Sequence, residues 1–338
     1  MKNKFLPKAG LLALSMLAVG SCAKNKDVEP SITNIAVTVP DFQLLEDAAI
    51  RGGVAVTLGN KNPGDPNGNY TVFAPNNAAF NRLGIREAVD FTALQPGFLT
   101  NTLLYHVYSG SLEGGALTSG SSSAGAFTVP ATSTTPAITP TRRIIRRADG
   151  SLYVNGSKIL GTDVKAANGL IHPIDKVLIA TGGNVVQSAQ ALQMAQVFAN
   201  PELTLLVAAV VKCNLAADLS APGPYTVFAP TDQAFKDAGI ASVDAINNMS
   251  ASQVTGLRNI LLNHVLAGAN ANKFTPELPE SSAVTALGGG SLQLGVFTNG
   301  VLTVRGRGNS ANSPANMVIP DVQCTNGVVH VIDKVLLP

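Results

Sequence analysis

Four histidines are the residues of this chain best suited to chemistry, and they come as two matched pairs. His106 and His172 are 66 positions apart, and so are His264 and His330. An aspartate follows each pair, Asp175 and Asp333. Two imidazoles and a carboxylate make a donor set that zinc accepts. The spacing, however, is a coincidence of unequal loops. His106 precedes Asp149 by 43 positions while His264 precedes Asn299 by 35, and the next interval compensates, 19 against 27. No cysteine pair or H-x-x-x-H spacing supports a metal, so neither metal nor other cofactor is expected. A hydrolase needs a serine or cysteine with a base beside it, and no G-x-S-x-G and no phosphate-cradling glycine loop occurs. The expected chain is therefore not an enzyme. Each histidine is read as a buried donor and acceptor that ties loops to a strand–helix corner, with Asn77 or Asp232 as its partner.

The corner is the element written most nearly twice, YTVFAPNNAAF at 70–80 and YTVFAPTDQAF at 225–235. Tyr-Thr-Val-Phe is a run of strand formers, and Pro75 or Pro230 ends it. Asn76 or Thr231 then stands where a helix N-cap belongs, with Asn77 or Asp232 beside it. Phe80 and Phe235 follow within the first turn, placed to anchor the new helix to a core. Asn-Asn exchanged for Thr-Asp is an exchange of capping residues, which a catalytic group or metal ligand would not tolerate.

Other blocks repeat in the same order. LLYHVYSG (103–110) returns as LLNHVLAG (261–268), NGLIHPIDKVL (168–178) as NGVVHVIDKVL (326–336), and PDFQLLEDAAI (40–50) as PELTLLVAAVV (201–211). Two copies of domain size indicate a tandem duplication rather than a solenoid. Helices are expected at 40–50, 77–83 and 97–105, and again at 201–211, 232–238 and 251–262. Asn168-Gly169, Asn326-Gly327, Asp149-Gly150 and Asn299-Gly300 read as tight hairpin turns. The strand after Asn168-Gly169 is apolar on both faces, as a buried strand is, and Pro173 places that point at an edge or bulge.

T-V-F-A-P-x-x-x-A-F, L-L-x-H-V and N-G-x-x-H-x-I-D-K-V-L, three motifs in one order and present twice, resemble the fasciclin-type (FAS1) domain. The resemblance covers nearly all of residues 34–338. It implies an α+β fold, two tandem domains (34–181 and 190–338), each a roughly seven-stranded β-sandwich or wedge with several packed helices. It also implies a non-catalytic protein of adhesion and matrix contacts, with a protein or polysaccharide partner at the cell surface. In animal members a tyrosine–histidine pair flanked by branched aliphatics is linked to integrin binding. Tyr105-His106 matches it, whereas Asn263 replaces the tyrosine in the second copy.

The chain has 338 residues, 46% apolar and 13% charged, which suits a folded protein of two domains. It begins with three lysines, Lys2, Lys4 and Lys8, before an apolar run at 11–20 that is shorter than the roughly 20 residues a spanning helix needs. Small residues then lead into Cys22. This resembles a bacterial lipoprotein signal (1–21), with Cys22 lipidated and 22–33 as a tether from the outer membrane, facing periplasm or exterior; an ordinary secretory signal is the alternative. Without residues 1–21 the chain carries 20 basic and 21 acidic residues, a balance that gives no reason to expect nucleic acid.

Cys213 and Cys324 both lie in copy two, where copy one has Gly52 and Ala166. Paired presence in an exported protein predicts a disulfide. Residues 109–140 are rich in small polar residues and read as exposed loops and irregular strands. Arg142, Arg143, Arg146 and Arg147, in RRIIRR, read as an exposed edge strand guarded by charge, with an acidic glycan as the sharper alternative.

Overall fold

The computed structural model describes residues 29–130, 137–194, 203–269 and 271–338. The proposed signal, Cys22 and part of the 109–140 loop lie outside these. Each copy forms one unit, in which helices cover one face of a mixed sheet and a second, smaller sheet covers the other.

The centre of each unit is a parallel pair. The corner strand Tyr70–Pro75 runs beside the closing strand Gly169–Ile174 in register Tyr70↔Gly169 to Pro75↔Ile174. Tyr225–Pro230 pairs with Gly327–Ile332 in the same register, Tyr225↔Gly327 to Pro230↔Ile332. Parallel neighbours need a long crossover, and here it is the rest of the unit. The short strands Val107–Ser109 and Val265–Ala267 flank the corner strands antiparallel.

Strand alternation sorts the core into two layers. In unit one, Tyr70, Val72 and Ala74 face the helices with Phe80, Phe91 and Leu103. Phe73 faces the second sheet with Tyr105, Ile144, Val154 and Ile174. In unit two, Ala229 faces the helical side and Phe228 the other. The burial of both faces explains why these strands carry so little polar alternation.

All six expected helices form, including Gln43–Arg51, Pro96–Tyr105 and Ala251–Leu262. The caps are as expected: Asn76 Oδ1 accepts the Ala79 N–H at 2.9 Å and Thr231 Oγ1 that of Ala234 at 3.2 Å. Phe80 and Phe235 are buried as anchors. Helices that no motif marked complete the cover, Ile32–Thr38 in unit one and Val185–Met194 in unit two. The units are joined at the sheet: Ile179–Ala180, following the first closing strand, pairs parallel with Met317–Gln323 of unit two, Val322↔Ile179.

Three expectations are refined or corrected. Asn299-Gly300 is a two-residue turn, both residues at positive φ and Thr298 and Val301 exchanging backbone hydrogen bonds. Asn168-Gly169 and Asn326-Gly327 also lie at tight hairpins, but the turn falls one residue earlier than expected. The connections are Ala167-Asn168, closed by Ala166↔Gly169, and Thr325-Asn326, closed by the Cys324 N–H on the Gly327 carbonyl at 2.9 Å. Each asparagine has a second task. Asn168 Oδ1 accepts the Ile32 N–H at 2.9 Å while Nδ2 donates to the Leu58 and Asn60 carbonyls. Asn326 repeats the pattern with Val185, Leu219 and Ala221. The glycines follow because a Cβ on Gly169 would lie 1.8 Å from the Tyr70 carbonyl oxygen, and one on Gly327 2.2 Å from that of Tyr225. Pro173 sits in the central closing strand, beyond the point where its antiparallel neighbour Val164–Ala166 ends at Val164↔Ile171.

Second, Cys213 and Cys324 are free thiols. Both are buried in one apolar cluster, where the Cys213 Sγ–H points to the Val254 carbonyl and that of Cys324 to Val322. Their joint presence is a core substitution, not a cross-link. Burial raises both thiol pKa values, Cys324 to about 12. Apart from Cys22, neither thiol should react with a maleimide in the folded protein, and both should react after denaturation without reductant; a disulfide would leave neither.

Third, RRIIRR is no edge. Thr141–Arg146 is paired on both sides, with Ser122–Ala124 and Leu152–Val154.

Candidate functional site

The residues singled out for chemistry are turned inward. His106 follows Pro96–Tyr105 as the helix C-cap. Its Nδ1 lies 2.7 Å from the Thr102 carbonyl and must donate, while Nε2 accepts the Leu178 N–H at 2.8 Å. His264 repeats this with the Ile260 carbonyl and the Leu336 N–H, both at 2.8 Å. The helix end is thereby fastened to the segment beyond the closing strand.

The closing-strand histidines use the other tautomer. His172 Nδ1 accepts the Asp163 N–H at 3.1 Å and Nε2 donates to the Leu112 carbonyl at 2.8 Å. His330 accepts from Asp321 N at 3.1 Å and donates to the Lys273 carbonyl at 3.0 Å. All four imidazoles are thus neutral, with both nitrogens bonded to backbone. Neither pair converges: among the described residues no group of three or more His, Cys, Asp or Glu could hold a metal ion. The expectation that Asn77 and Asp232 bind the histidines is corrected. Asn77 Oδ1 accepts the Leu44 N–H at 3.0 Å and Asp232 Oδ1 that of Leu205 at 2.7 Å, each satisfying a free donor at the start of the preceding helix.

This arrangement makes stability depend on pH. Burial pulls the His106 and His264 pKa values down to about 4 and lowers those of His172 and His330. A depressed folded-state pKa means that the unfolded chain binds the proton first. The contribution is therefore complete above about 6.5, the ordinary histidine value, and is lost as pH falls toward about 4. His106 and His264 are each worth on the order of 3 kcal/mol over that window. The urea midpoint should drop steeply between pH 7 and 4.5, and His106→Gln should flatten the slope in unit one while lowering stability at pH 7.

Tyr105 is also interior. Its hydroxyl donates to the Thr141 carbonyl at 2.8 Å and accepts from Asn155 Nδ2 at 2.9 Å, and burial raises its pKa to about 12. With Tyr105 and His106 both buried, the Tyr-His pair offers no contact surface.

The arginines are divided among three tasks. Arg142 is fully buried in unit one, against the Phe73 and Tyr105 rings, and donates to the carbonyls of Tyr105, Val107 and Ala124. Arg143 and Arg147 cross to unit two. Arg143 pairs with Glu277 and lies over the Phe274 ring at 4.8 Å; Arg147 pairs with Glu280 at 2.7 Å and lies over Phe297 at 4.1 Å. Arg146 alone remains exposed. The cluster is therefore no ready glycan surface, because three of its four cations are spent inside the molecule.

These contacts belong to a junction that no motif announced. Ile145 and Tyr153 of unit one pack with Phe274 and Val328 of unit two. Beside them Lys176 Nζ reaches Asp321 Oδ2 at 2.8 Å and the Gly300 carbonyl, with side-chain exposures of 8% and 7% for the ion pair. Burial alone would raise the Asp321 pKa, but Lys176 and the Thr275 N–H together hold it below the ordinary carboxylate value. The duplication is not repeated here: where unit one has Arg143 and Arg147, unit two has Gln293 and Phe297.

Each unit also opens an apolar cleft between its first two long helices. One, about 580 Å³ with its mouth, is lined by Ile32, Ala36, Leu45 and Val54; the other, about 600 Å³, by Val185, Ala189, Leu206 and Val210. Val37 and Ile50 at the first, and Val211 at the second, are exposed.

The fasciclin domain model matches residues 40–180 and again 201–338. The chain belongs to the fasciclin domain family. Its two fasciclin domains are similar to transforming growth factor-beta-induced protein ig-h3 of Sus scrofa, 27% identical over 272 residues, covering 80% of this chain and 35% of that protein. The chain thus spans about a third of that relative. Protein sll1483 of Synechocystis sp. is 36% identical over 139 residues (41% of this chain, 69% of that protein). Immunogenic protein MPB70 of Mycobacterium bovis is 34% identical over 145 residues (41% and 65%). Among solved structures, the FAS1 domain pair of the insect cell adhesion molecule fasciclin I aligns at a TM-score of 0.38 and 17% identity, over 88% of this chain and 97% of that one. No helix among the described residues is long and apolar enough to cross a membrane.

Proposed function

We propose that this fasciclin-family protein is a non-catalytic adhesion or interaction protein of the bacterial cell envelope, held by a lipid on Cys22 and presenting its two domains as a joined pair to a protein partner. The observation that carries the reading is the spending of all four histidines on backbone hydrogen bonds, which leaves the repeated motifs with an architectural task. Exposed apolar side chains such as Val37, Ile50 and Val211 beside the helical clefts support protein contact over glycan binding. The commitment of Arg142, Arg143 and Arg147 within the molecule points the same way. One acyl chain holds a protein only marginally, so a multi-chain lipid is the anchor that fits.

The reading is tested in cells. Cys22→Ala should move the protein from the membrane fraction to the soluble one. Cross-linking on intact cells should capture a protein partner, and Ile50→Asp should reduce its yield. Capture unaffected by surface substitutions but abolished by glycosidase treatment would replace the protein partner with a glycan.

A further inference from the structure

We propose that the cleft between the two domains is a binding site for a small ligand that joins an apolar body to one carboxylate. This site is independent of the adhesion reading. The cleft holds about 200 Å³ inside its open mouth and lies at the junction of the two domains, a place that small-molecule sites favour. One wall is Ala79, Leu83, Val177 and Ile179 of the first domain; the other is Val301 with Met317–Pro320 of the second. Apart from Arg82 and the Lys176 side chain, every lining residue is apolar. Val318 is 41% exposed in it, a large aliphatic surface left uncovered at an otherwise closed junction.

The two cations in the lining differ in what they have left to give. The Lys176 charge is answered by Asp321 at 2.8 Å. Among the described residues Arg82 makes one hydrogen bond, from Nη1 to the Asn299 carbonyl at 3.1 Å. It also forms a long ion pair with Asp175, whose Oδ2 stands 3.8 Å from Nη2, beyond hydrogen-bond reach. The Asp175 carboxylate is held on its other side, where Oδ1 accepts the Lys158 N–H at 2.7 Å and the Ser157 hydroxyl at 3.3 Å. Arg82 thus keeps guanidinium N–H groups for a further acceptor, and a planar fork suits a carboxylate. An apolar tail would lie between Leu83 and Val318 and touch both domains at once, so occupancy would couple to docking.

Octanoate, 1-octanol and octylammonium serve as probes of equal length, with affinity measured by calorimetry on the intact chain. Octanoate is expected to bind about tenfold more tightly than octanol, with octylammonium weakest. Arg82→Gln should remove the preference for octanoate, and Val318→Asp should abolish binding, while Val56→Asp on the outer helices changes neither. Variants are checked by circular dichroism, and either one that folds decides the question. Equal affinity for octanoate and octanol, undiminished octanoate binding in Arg82→Gln or Val318→Asp, or no octanoate binding at all would overturn the proposal.

Discussion

Asp321→Asn should separate the two domains without unfolding either. The substitution keeps the shape of the side chain but leaves the Lys176 ammonium buried with no counter-charge. Removing one partner of a buried pair costs about 3–5 kcal/mol, most of it the desolvation of the charge left behind. That cost falls on the junction, because Lys176 belongs to one domain and Asp321 to the other. The native chain should melt in one transition and the variant in two. Gly156→Ala checks the same junction from the opposite side. A Cβ there would lie 1.8 Å from Asp321 Oδ2, which Lys176 and Thr275 hold in place. Both variants should also widen the distance between spin labels placed one on each domain. A single transition with an unchanged distance would mean that the buried pair does not fasten the domains.

Gly169→Ala is the second large effect, and it should destroy the first domain. Gly169 has a φ of +146°, a region closed to alanine, and its missing Cβ faces backbone rather than a side chain that could turn away. The Tyr70 carbonyl carbon and amide nitrogen would also lie 2.7 and 2.8 Å from the new atom. Relief requires the parallel pair to part at Tyr70↔Gly169, the first step of the central ladder. A loss above about 4 kcal/mol is expected, in the class produced by strained backbone positions. Limited proteolysis should then digest the first domain and spare the second. Gly327→Ala should do the converse, through the 2.2 Å approach to the Tyr225 carbonyl. Resistance of both variants would contradict the close approach.

What the sequence disclosed, and what it hid, follows from the range of the forces. The corner was legible because its chemistry is local: Asn76 and Thr231 cap helices that begin at the next residue, and Phe80 and Phe235 lie within one turn. The burial of the histidines was legible from their apolar neighbours. Their partners were not, since His106 binds Leu178 across 72 positions by a backbone N–H that any residue supplies. Asn168-Gly169 shows the same limit from the other side. The dipeptide spells a turn, and Asn168 does end one, but nothing local shows that Asn168 also holds the helix at Ile32 or that Gly169 admits the Tyr70 carbonyl. RRIIRR misled because charge on a strand normally signals solvent. Here the answering groups, Glu277, Glu280 and the Phe274 and Phe297 rings, stand more than a hundred positions away in the other copy, without any pattern tying them to the arginines.

The most direct test of the central claim, that the repeated motifs are architecture, is nitrogen-15 NMR of the four imidazoles at pH 7 with and without added zinc. His106 and His264 should each carry the proton on Nδ1, His172 and His330 on Nε2, and none should respond to the metal. An imidazolium signal, or a histidine resonance that zinc shifts in stoichiometric amount, would contradict it.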